Sequence, residues 1–411
     1  MDFGLFDATL WLSTGLDLVV AAGVLLAVRA RRASRARPAV TLARVAGAFA
    51  LTATLVVAKL AVLVGLGLDP LFGVIHLVFL DLVVVLPTVA AGVLWLGWRP
   101  PRRATRPVLA LAALCCLAAP AGAYASFVEP FSLRVERASV ALPDGRGAAS
   151  PIRVGVLADI QTDDVGAHEW AAVEEVMRAR PDLIVLPGDL FQGSGAAFAR
   201  EGPELRALLG RLAAPGGVFF VEGDADDLDD IARLARGTGV RVLADEIVRT
   251  RVRGRPVTVA GSRLAWRGAG AQRVIRRLAE GPGEGDVRLV VAHRPDAAIS
   301  PAAGPRIDLV VAGHTHGGQI QLPLLGPPLV ASEVPREVGA GGLHRMPDGP
   351  LVYVSRGIGV EHGQAPRMRM LAPPEVSVLE VGGTQPVVQA PESTRPSARA
   401  SARRTIVSGT P

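Results

Sequence analysis

Cysteine is almost absent from this chain of 411 residues, which contains only two. Cys115 and Cys116 are adjacent and lie within an apolar run. The remainder of the chain therefore cannot form a disulfide framework or a zinc site that uses cysteine ligands. Disulfide-stapled scaffolds and cysteine-ligated zinc modules are excluded.

A basic surface on a folded domain is also missing. The formal net charge is +6, but the arginines are concentrated in short runs beside apolar segments and in the C-terminal tail. A protein that binds nucleic acid would carry such residues on one face of its folded domain. We therefore expect no nucleic acid partner.

The long apolar runs lie in the first third of the chain and raise its hydrophobic fraction to 50%. Four of them are long enough to cross a bilayer, which takes about 20 residues in a helix. The first has no basic leader and is followed by three more, which argues against a cleaved signal peptide. Residues 1–130 are therefore predicted to form a four-helix transmembrane region. The spans run from Leu10 to Val28, Val40 to Leu66, Leu71 to Trp98 and Val108 to Phe127.

Arginines between the predicted spans indicate their orientation. They are clustered between spans one and two and between spans three and four, whereas the turn at residues 67–70 has no Lys or Arg. Because such clusters remain in the cytoplasm, the fourth span exits outward. The chain after about residue 130 is then extracytoplasmic, on a multi-pass protein of the inner or plasma membrane. The clusters are Arg29, Arg31, Arg32, Arg35 and Arg37, and Arg99, Arg102, Arg103 and Arg106.

Three ionisable residues interrupt the predicted spans: Asp17, Lys59 and Asp81. Such side chains are costly in lipid and usually face one another or a wet cavity. An ion pair between Lys59 and a carboxylate would hold the helices together. A path for protons or a ligand is the alternative.

Beyond residue 151 short apolar strands alternate with helices, which predicts an α/β domain with helices covering its sheet. We assign residues 131–150 to a linker, 151–381 to the domain, and the Pro-, Ser- and Arg-rich residues 382–411 to a disordered tail. The predicted helices cover about His168–Ala179, Pro203–Leu212 and Asp226–Arg236. The predicted strands are Ile152–Leu157, Leu183–Leu186, Val218–Val221, Val240–Leu243, Val257–Ala260, Leu289–Ala292, Ile307–Val311, Leu351–Val354 and Val376–Leu379.

Carboxylates and imidazoles follow five of these strands, at the edge where open α/β sheets bind their ligands. A single one would be an ordinary helix cap or turn residue, but that does not explain five at strand ends. Glycines at positions 313, 317 and 318 permit a tight turn on which two imidazoles can converge. Mixed Asp and His ligation suits a pair of Mn, Fe or Zn ions. The residues are Asp159, Asp189, Asp224, His293, His314 and His316.

The motifs around these residues resemble those of the calcineurin-like metallophosphoesterases, over about Ile152 to Glu380. The resemblance is greatest to the membrane-linked bacterial branch, in which transmembrane helices precede the catalytic domain. It implies an α/β/β/α sandwich. The matching motifs, in chain order, are PDLIVLPGD at 181–189, HRPD at 293–296, GHTHGGQI at 313–320, YVSRG at 353–357 and PPE at 373–375.

The resemblance also implies two metal sites and the hydrolysis of a phosphate ester by attack of a metal-bound hydroxide on phosphorus. The first metal would be held by Asp159, the residue at 161, Asp189 and His316. The second would be held by Asp189 as a bridge, the residue at 224, His293 and His314.

Three positions depart from the family pattern. Gln161 replaces a histidine ligand, and Ala225 replaces the histidine that contacts phosphate or protonates the leaving group. Gln192 stands where the family has an acidic residue or Asn. We therefore expect one firm and one labile metal, a shift towards Mn²⁺, and no firmly assigned catalytic residue. His168, Asp163 and Asp164 are the candidates to fill the gap, although residues starting a helix are the simpler interpretation.

The predicted function is a membrane-anchored phosphoesterase that hydrolyses a phosphomonoester or phosphodiester at the membrane surface, with a lipid-linked ester as one candidate. The alternative is a catalytically silent domain that binds metal or phosphate and serves the membrane region as a sensor or scaffold. Loss of two family histidines favours this alternative. Retention of five family ligands favours the enzyme: Asp159, Asp189, His293, His314 and His316.

Overall fold

The computed structural model describes residues 3–32, 57–65, 67–69, 71–97, 105–142, 150–281, 287–347 and 349–383. Up to residue 131 these residues are almost entirely helical. The helices are α1 (Phe3–Arg32), α2 (residues 57–65), α3 (Phe72–Leu80), α4 (Leu86–Gly97), α5 (Arg106–Cys116) and α6 (Ala118–Phe127). A 3₁₀ turn at Glu129–Phe131 follows α6.

A π-helical turn at Asp81–Val85 joins α3 to α4 just before a proline. Pro87 has no N–H to offer the carbonyl four residues earlier, and its ring clashes with that carbonyl. The helix instead widens into a π-helical turn, in which the Leu86 N–H donates to the carbonyl of Asp81, five residues earlier. The Thr88 hydroxyl donates to the Val84 carbonyl at 2.6 Å. One long helix therefore continues through the proline.

Two described helices are long and apolar enough to cross a bilayer: Phe72–Leu96 and Arg106–Phe131. They correspond to the third and fourth predicted spans. The apolar part of α1, Leu10–Leu26, is shorter, and residues 40–56 of the predicted second span lie outside the described residues. Length and composition thus support two of the four predicted spans, and the four-helix transmembrane region is not confirmed.

An ion pair connects α1 to α2. The Lys59 ammonium donates to the carboxylate of Asp17, and both side chains are largely buried. This is the pairing that the sequence predicted, and it joins two apolar helices through a contact that is costly to break in a dry environment.

The rest of the described chain forms two six-stranded mixed sheets. Sheet I has the order β1-β12-β2-β3-β4-β5, with β12 antiparallel to β2 and the other pairs parallel. Sheet II has the order β10-β11-β9-β8-β7-β6, with antiparallel pairs only at its two edges. The strands are β1 (Arg134–Val140), β2 (Ile152–Val156), β3 (Leu183–Leu186), β4 (Val218–Phe220), β5 (Val240–Val242), β6 (Glu246–Val252), β7 (Arg255–Gly261), β8 (Val287–Val291), β9 (Leu309–Ala312), β10 (Gly342–Arg345), β11 (Leu351–Val354) and β12 (Glu375–Val381).

Strand β3 shows how the sequence builds the layers. Leu183 and Val185 point into the core between the two sheets, whereas Ile184 and Leu186 point into the core beneath the helices. Both faces of the strand are buried, which explains its continuous apolar run. The helices over sheet I are α7 (Ala167–Arg178), α8 (Gly195–Arg211) and α9 (Leu228–Ala235), and those over sheet II are α10 (Ala269–Glu280) and α11 (Arg336–Gly339). The layer order is α/β/β/α, and the predicted α/β class is confirmed.

The structure differs from the prediction at several boundaries. Residues 134–140, assigned to the linker, form β1 and pair in parallel with β12, so the sandwich begins at Arg134. Strands β6 and β10 and helix α10 were not predicted. Helix α8 begins at Gly195 rather than Pro203, because the Ser194 hydroxyl caps it by accepting from the Ala197 N–H. The predicted tail from residue 384 onward lies outside the described residues.

The helices contact the sandwich through the loop that precedes β12. The Arg369 N–H donates to the Ala125 carbonyl at 2.9 Å, and the Ala372 N–H donates to the buried carboxylate of Glu129 at 2.8 Å. The side chain of Gln364 accepts from the Asp69 N–H at 2.6 Å. The helical region is therefore packed directly against the edge of the sandwich that carries the predicted ligands.

Candidate metal centre

Five loops carry predicted ligands to one edge of the sandwich. Asp159, Asp189 and Asp224 follow the adjacent strands β2, β3 and β4 of sheet I, and His293 and His314 follow the adjacent strands β8 and β9 of sheet II. The structure brings these five side chains into two overlapping groups. One group is Asp224, His293 and His314, and the other is Asp159, Asp189 and His293, with ligand atoms within 4.8 Å of one another in each group.

Several of these residues lie on left-handed backbone. The φ angles are 47° at Asp159, 53° at Asp189, 74° at His314 and 49° at His316. Each such conformation costs a non-glycine residue on the order of 1–3 kcal/mol, and it persists where the surroundings impose it. Left-handed residues directly after strands turn the side chains back over the sheet edge. The strain is concentrated where the predicted ligands converge.

Glycine is required at position 188, where φ is +83°. A Cβ there would lie 2.6 Å from the backbone nitrogen of Gly223 and 2.9 Å from Nδ1 of His293. The loops after β3 and β4 can approach His293 only because this side chain is absent.

Backbone carbonyls set the tautomers of both histidines in the first group. His293 Nδ1 lies 2.7 Å from the carbonyl oxygen of Pro187, and His314 Nε2 lies 2.7 Å from that of Ala331. A carbonyl can only accept, so these nitrogens carry the protons of the neutral rings. The other two nitrogens, Nε2 of His293 and Nδ1 of His314, then present lone pairs and lie 3.2 Å apart. Two lone pairs facing each other need a proton or a cation between them.

Carboxylates complete this group. Oδ2 of Asp224 lies 2.8 Å from Nδ1 of His314 and 3.3 Å from Nε2 of His293. Burial opposes ionisation of Asp224, but its contacts with His293, His314 and Arg294 hold its pKa well below its usual range. Burial also disfavours a charged His293, but the charges of Asp189, Asp224 and Asp159 outweigh it and raise the pKa of His293 to about 10. The surrounding carboxylates therefore favour a positive charge at this place, which a metal cation would supply.

The second group is fully buried. Oδ1 of Asp159 lies 3.6 Å from Nδ1 of His293, and Oδ2 of Asp189 lies 3.4 Å from Nε2 of the same ring. The backbone N–H of His314 donates to both oxygens of Asp159 at 3.0 and 3.1 Å. Burial, reinforced by the charge of Asp189, raises the pKa of Asp159 to about 7. Two buried carboxylates this close are a typical environment for a divalent cation.

Gln161 lies in a cluster of polar side chains beside the second group. Its side-chain nitrogen donates to Gln192 at 2.9 Å and to Glu361 at 3.2 Å, and Gln192 in turn donates to Glu361 at 2.9 Å. The side-chain oxygen of Gln161 is buried and has no hydrogen-bond partner among the described residues. The sequence predicts this oxygen as a ligand of the first metal, and it stays a prediction. Glu361 was missed, because nothing in its local sequence distinguishes it from a loop carboxylate.

His316 fits a metal less well than the other predicted ligands do. It is buried but belongs to neither group. Its Nδ1 lies 3.2 Å from a guanidinium nitrogen of the buried Arg369, while Nε2 has no partner in the described part of the chain. Arginine can only donate, so this contact places the ring proton on Nε2. Metal binding through Nε2 would require this contact with Arg369 to be released.

Ala225 contributes only its backbone, whose N–H donates to Asp189 at 2.7 Å. The neighbouring Asp226 braces the centre by accepting from the backbone N–H groups of Asp189, Leu190 and Gly223 at 2.8–2.9 Å. Arg294 forms a two-point contact with Asp224, at 2.5 and 3.2 Å. Its partly exposed guanidinium places a positive charge beside the predicted ligands. The sequence did not predict this role for Arg294.

The predicted substitutes for the missing histidine are not among the ligands. His168 Nε2 lies 3.1 Å from the carbonyl of Ile358, and its ring packs edge-on against Phe131. Asp163 forms an ion pair with Arg367 at 2.6 Å. The Asp164 N–H contacts the hydroxyl of Thr162. These contacts place all three beside a cavity that adjoins Gln161.

Residues 152–318 match the family model of calcineurin-like phosphoesterases. This part of the chain is a calcineurin-like phosphoesterase domain. The chain is 39% identical over 94 residues to phosphodiesterase YaeI of Escherichia coli, which covers 23% of this chain and 32% of that protein. It is 28% identical over 281 residues to an uncharacterized metallophosphoesterase of Aquifex aeolicus, and the match covers 64% of this chain and 96% of that protein. A transmembrane protein with a metallophosphoesterase domain from Bos taurus is 29% identical over 202 residues, and the match covers 45% of this chain and 43% of that protein.

The chain spans less than half the length of the Escherichia coli and Bos taurus relatives. The matched family model ends at residue 318 and so includes every predicted ligand. The family resemblance inferred from the motifs is confirmed.

Proposed function

We propose that this protein is a membrane-anchored, metal-dependent phosphoesterase. The observation that supports this most directly is the pair of imidazoles, His293 and His314, whose free nitrogens face each other at 3.2 Å beside Asp224. Backbone carbonyls fix both tautomers for metal binding, and the buried carboxylates of Asp159 and Asp189 extend the ligand set.

Two divalent ions, drawn from Mn, Fe and Zn, fit these donors. Asp224, His293, His314 and Asp189 would hold the firmer one. Asp159, Asp189, the amide oxygen of Gln161 and, after release from Arg369, His316 would hold the more labile one. When bound, such ions activate water and stabilise negative charge on the phosphoryl oxygens of a phosphomonoester or phosphodiester.

The chain's own residues determine which esters react well. The guanidinium of Arg294 lies at the rim of the centre and would contact a phosphoryl oxygen through its free N–H groups. Ala225 cannot donate a proton to the leaving group, so esters with good leaving groups are expected to react fastest.

We further propose a location in the inner or plasma membrane, with the phosphoesterase domain extracytoplasmic. Two described helices of sufficient length and the arginine clusters between the predicted spans support this. A substrate at the membrane surface, with a lipid-linked ester as the leading candidate, is consistent with this location.

The test is hydrolysis of p-nitrophenyl phosphate and bis-p-nitrophenyl phosphate by the full chain in detergent, after chelation and after addition of Mn²⁺ or Zn²⁺. We expect metal-dependent turnover. His314→Ala should lower kcat/KM by at least about 100-fold. It should also lower the number of metal ions bound per chain, measured by inductively coupled plasma mass spectrometry. His344→Ala is the matched control, because His344 lies in β10, its ring contacts the Gly341 carbonyl, and it belongs to neither ligand group.

Turnover that survives chelation would contradict the proposal. Bound metal without turnover, in the wild type and with every metal, would favour the alternative of a silent domain that binds metal or phosphate. The replacement at Ala225 and the contact between Arg369 and His316 are the observations that keep this alternative open.

A further inference from the structure

A cavity of about 950 Å³ lies between the helices and the phosphoesterase domain. One wall consists of apolar side chains from α1, from α3 and its π-helical turn, and from the end of α6. They include Trp11, Phe79, Leu80, Val83 and Phe127. The volume is at the upper end of the roughly 300–1,000 Å³ that is usual for small-molecule sites.

The opposite end of the cavity is polar and adjoins the candidate metal centre. Gln161, a predicted ligand, lines it together with Asp163, His168, His362 and Arg367. Arg367 is largely exposed and pairs with Asp163 at 2.6 Å. The cavity thus runs from a mostly apolar wall to the polar cluster next to Asp159 and Asp189.

Most of the apolar wall belongs to the two helices that are long enough to cross a bilayer, and Trp11 comes from the shorter apolar part of α1. Just beside the lining residues, Leu12, Val78 and Leu82 are exposed at the surface of these helices, at 76%, 51% and 50%. An exposed apolar surface of this kind is stable in lipid and unfavourable in water. The apolar end of the cavity is therefore continuous with the surface that would face acyl chains.

Small residues on α6 keep the cavity open. Ala119, Gly122, Ala123 and Ser126 line it at successive turns of that helix. Gly122 also allows α6 to pack against the π-helical turn, since a Cβ there would overlap Val83. Larger side chains on this face would fill the space.

We propose that this cavity binds the apolar chain of an amphipathic phosphate ester, so that the substrate is a membrane lipid whose phosphate group reaches the centre beside Gln161. The proposal rests on the proposed function. A small soluble ester would leave the apolar wall unused, whereas a lipid ester matches both ends of the cavity. The chain would enter from the bilayer between α3 and α6, and the phosphate would not leave the membrane surface.

The experiment compares alkyl p-nitrophenyl phosphates with methyl, butyl, octyl and dodecyl groups, which share one phosphodiester and one leaving group. The full chain is assayed in detergent with Mn²⁺. Each buried methylene is worth about 0.8 kcal/mol, or about fourfold, so we expect kcat/KM to rise two- to fourfold per methylene until the cavity is full.

Ala123→Phe, which places a ring in the cavity, should abolish this rise, so that the ratio of kcat/KM for the dodecyl and methyl esters falls to about one. Ala121→Phe is the matched control, because Ala121 is an exposed alanine of the same helix that does not line the cavity. It should retain the full dependence on chain length, and it also corrects for partition of long esters into detergent. Ala119→Phe is the second filling variant, in case Ala123→Phe does not fold.

A methyl ester that is hydrolysed as well as the dodecyl ester would overturn the cavity proposal and leave the proposed function standing. Equal chain-length dependence in the filling variants and Ala121→Phe would overturn it as well. If no ester is hydrolysed in a metal-dependent way, both proposals fail.

Discussion

The carbonyl oxygens of Pro187 and Ala331 determine which nitrogen of His293 and of His314 is free to bind a metal. In many metal centres a carboxylate side chain performs this role and is open to substitution. Here the partner is main chain, so no single side-chain replacement at 187 or 331 removes it directly. The orientation of the imidazoles is therefore tied to the path of two loops rather than to further side chains.

Ala225→His tests whether the missing proton donor limits the enzyme. Position 225 is half-buried at the rim, with its N–H already bonded to Asp189. We expect the variant to accelerate hydrolysis of alkyl esters by at least tenfold, towards the roughly 10²–10⁴ that a positioned acid contributes. Aryl esters should change little, because their leaving groups need no proton. The ratio of kcat/KM for a methyl and a p-nitrophenyl monoester measures this. An equal gain for both would show that the histidine acts in binding.

Individual residues differ in how far the sequence could predict their roles. Asp189 and His293 follow buried strands, and strand order alone places them at one edge. The contact between Arg369 and His316 could not be predicted, because it joins positions 53 residues apart. An arginine near the end of a domain is usually exposed, whereas Arg369 is fully buried and donates to several carbonyl groups.

At the scale of elements, the central strands were predictable and three of the four edge strands were not, the exception being β5. Strand β3 was predicted with its observed bounds, because both of its faces are buried and its residues are all β-branched or leucine. Strands β1, β6 and β10 lie at sheet edges and carry several charged or exposed residues. Each is positioned by pairing with another strand rather than by its own apolar pattern. The pairs are β1 with β12, β6 with β7, and β10 with β11.

The ion pair between α1 and α2 makes a prediction about the helices. Lys59→Met leaves Asp17 buried without its partner, which should destabilise the helical region by about 3–5 kcal/mol. The double variant Asp17→Leu with Lys59→Leu should recover much of that loss, because the buried carboxylate of Asp17 is removed together with its partner. Thermal unfolding of the full chain in detergent measures both. If Lys59→Met alone is as stable as the wild type, the pair is not what holds α1 to α2.

At the scale of the whole molecule, the fold makes a prediction about where the domain can be cut. A fragment from residue 132 to 383 retains β1, whereas a fragment from 148 exposes the edge of β12 and loses Ala138, Val140 and Leu142 from the core. Burying an aliphatic side chain contributes about 1.5–3 kcal/mol. We expect the longer fragment to be monomeric in gel filtration and to unfold at a higher temperature. The shorter one should aggregate through its open edge. If both fragments are monomeric and unfold at the same temperature, the domain begins after β1.

The contacts between the helices and the loop before β12 have a consequence for how such a chain can evolve. The carbonyl of Ala125 and the carboxylate of Glu129 hold the loop that carries Arg369, and Asp69 is bonded to Gln364 of the same loop. A membrane anchor joined by a flexible tether can be exchanged between proteins by recombination. The helical region of this chain cannot be exchanged without disturbing a loop that also contacts His316. The two parts should therefore be inherited together, and substitutions at their shared surface should occur in compensating pairs.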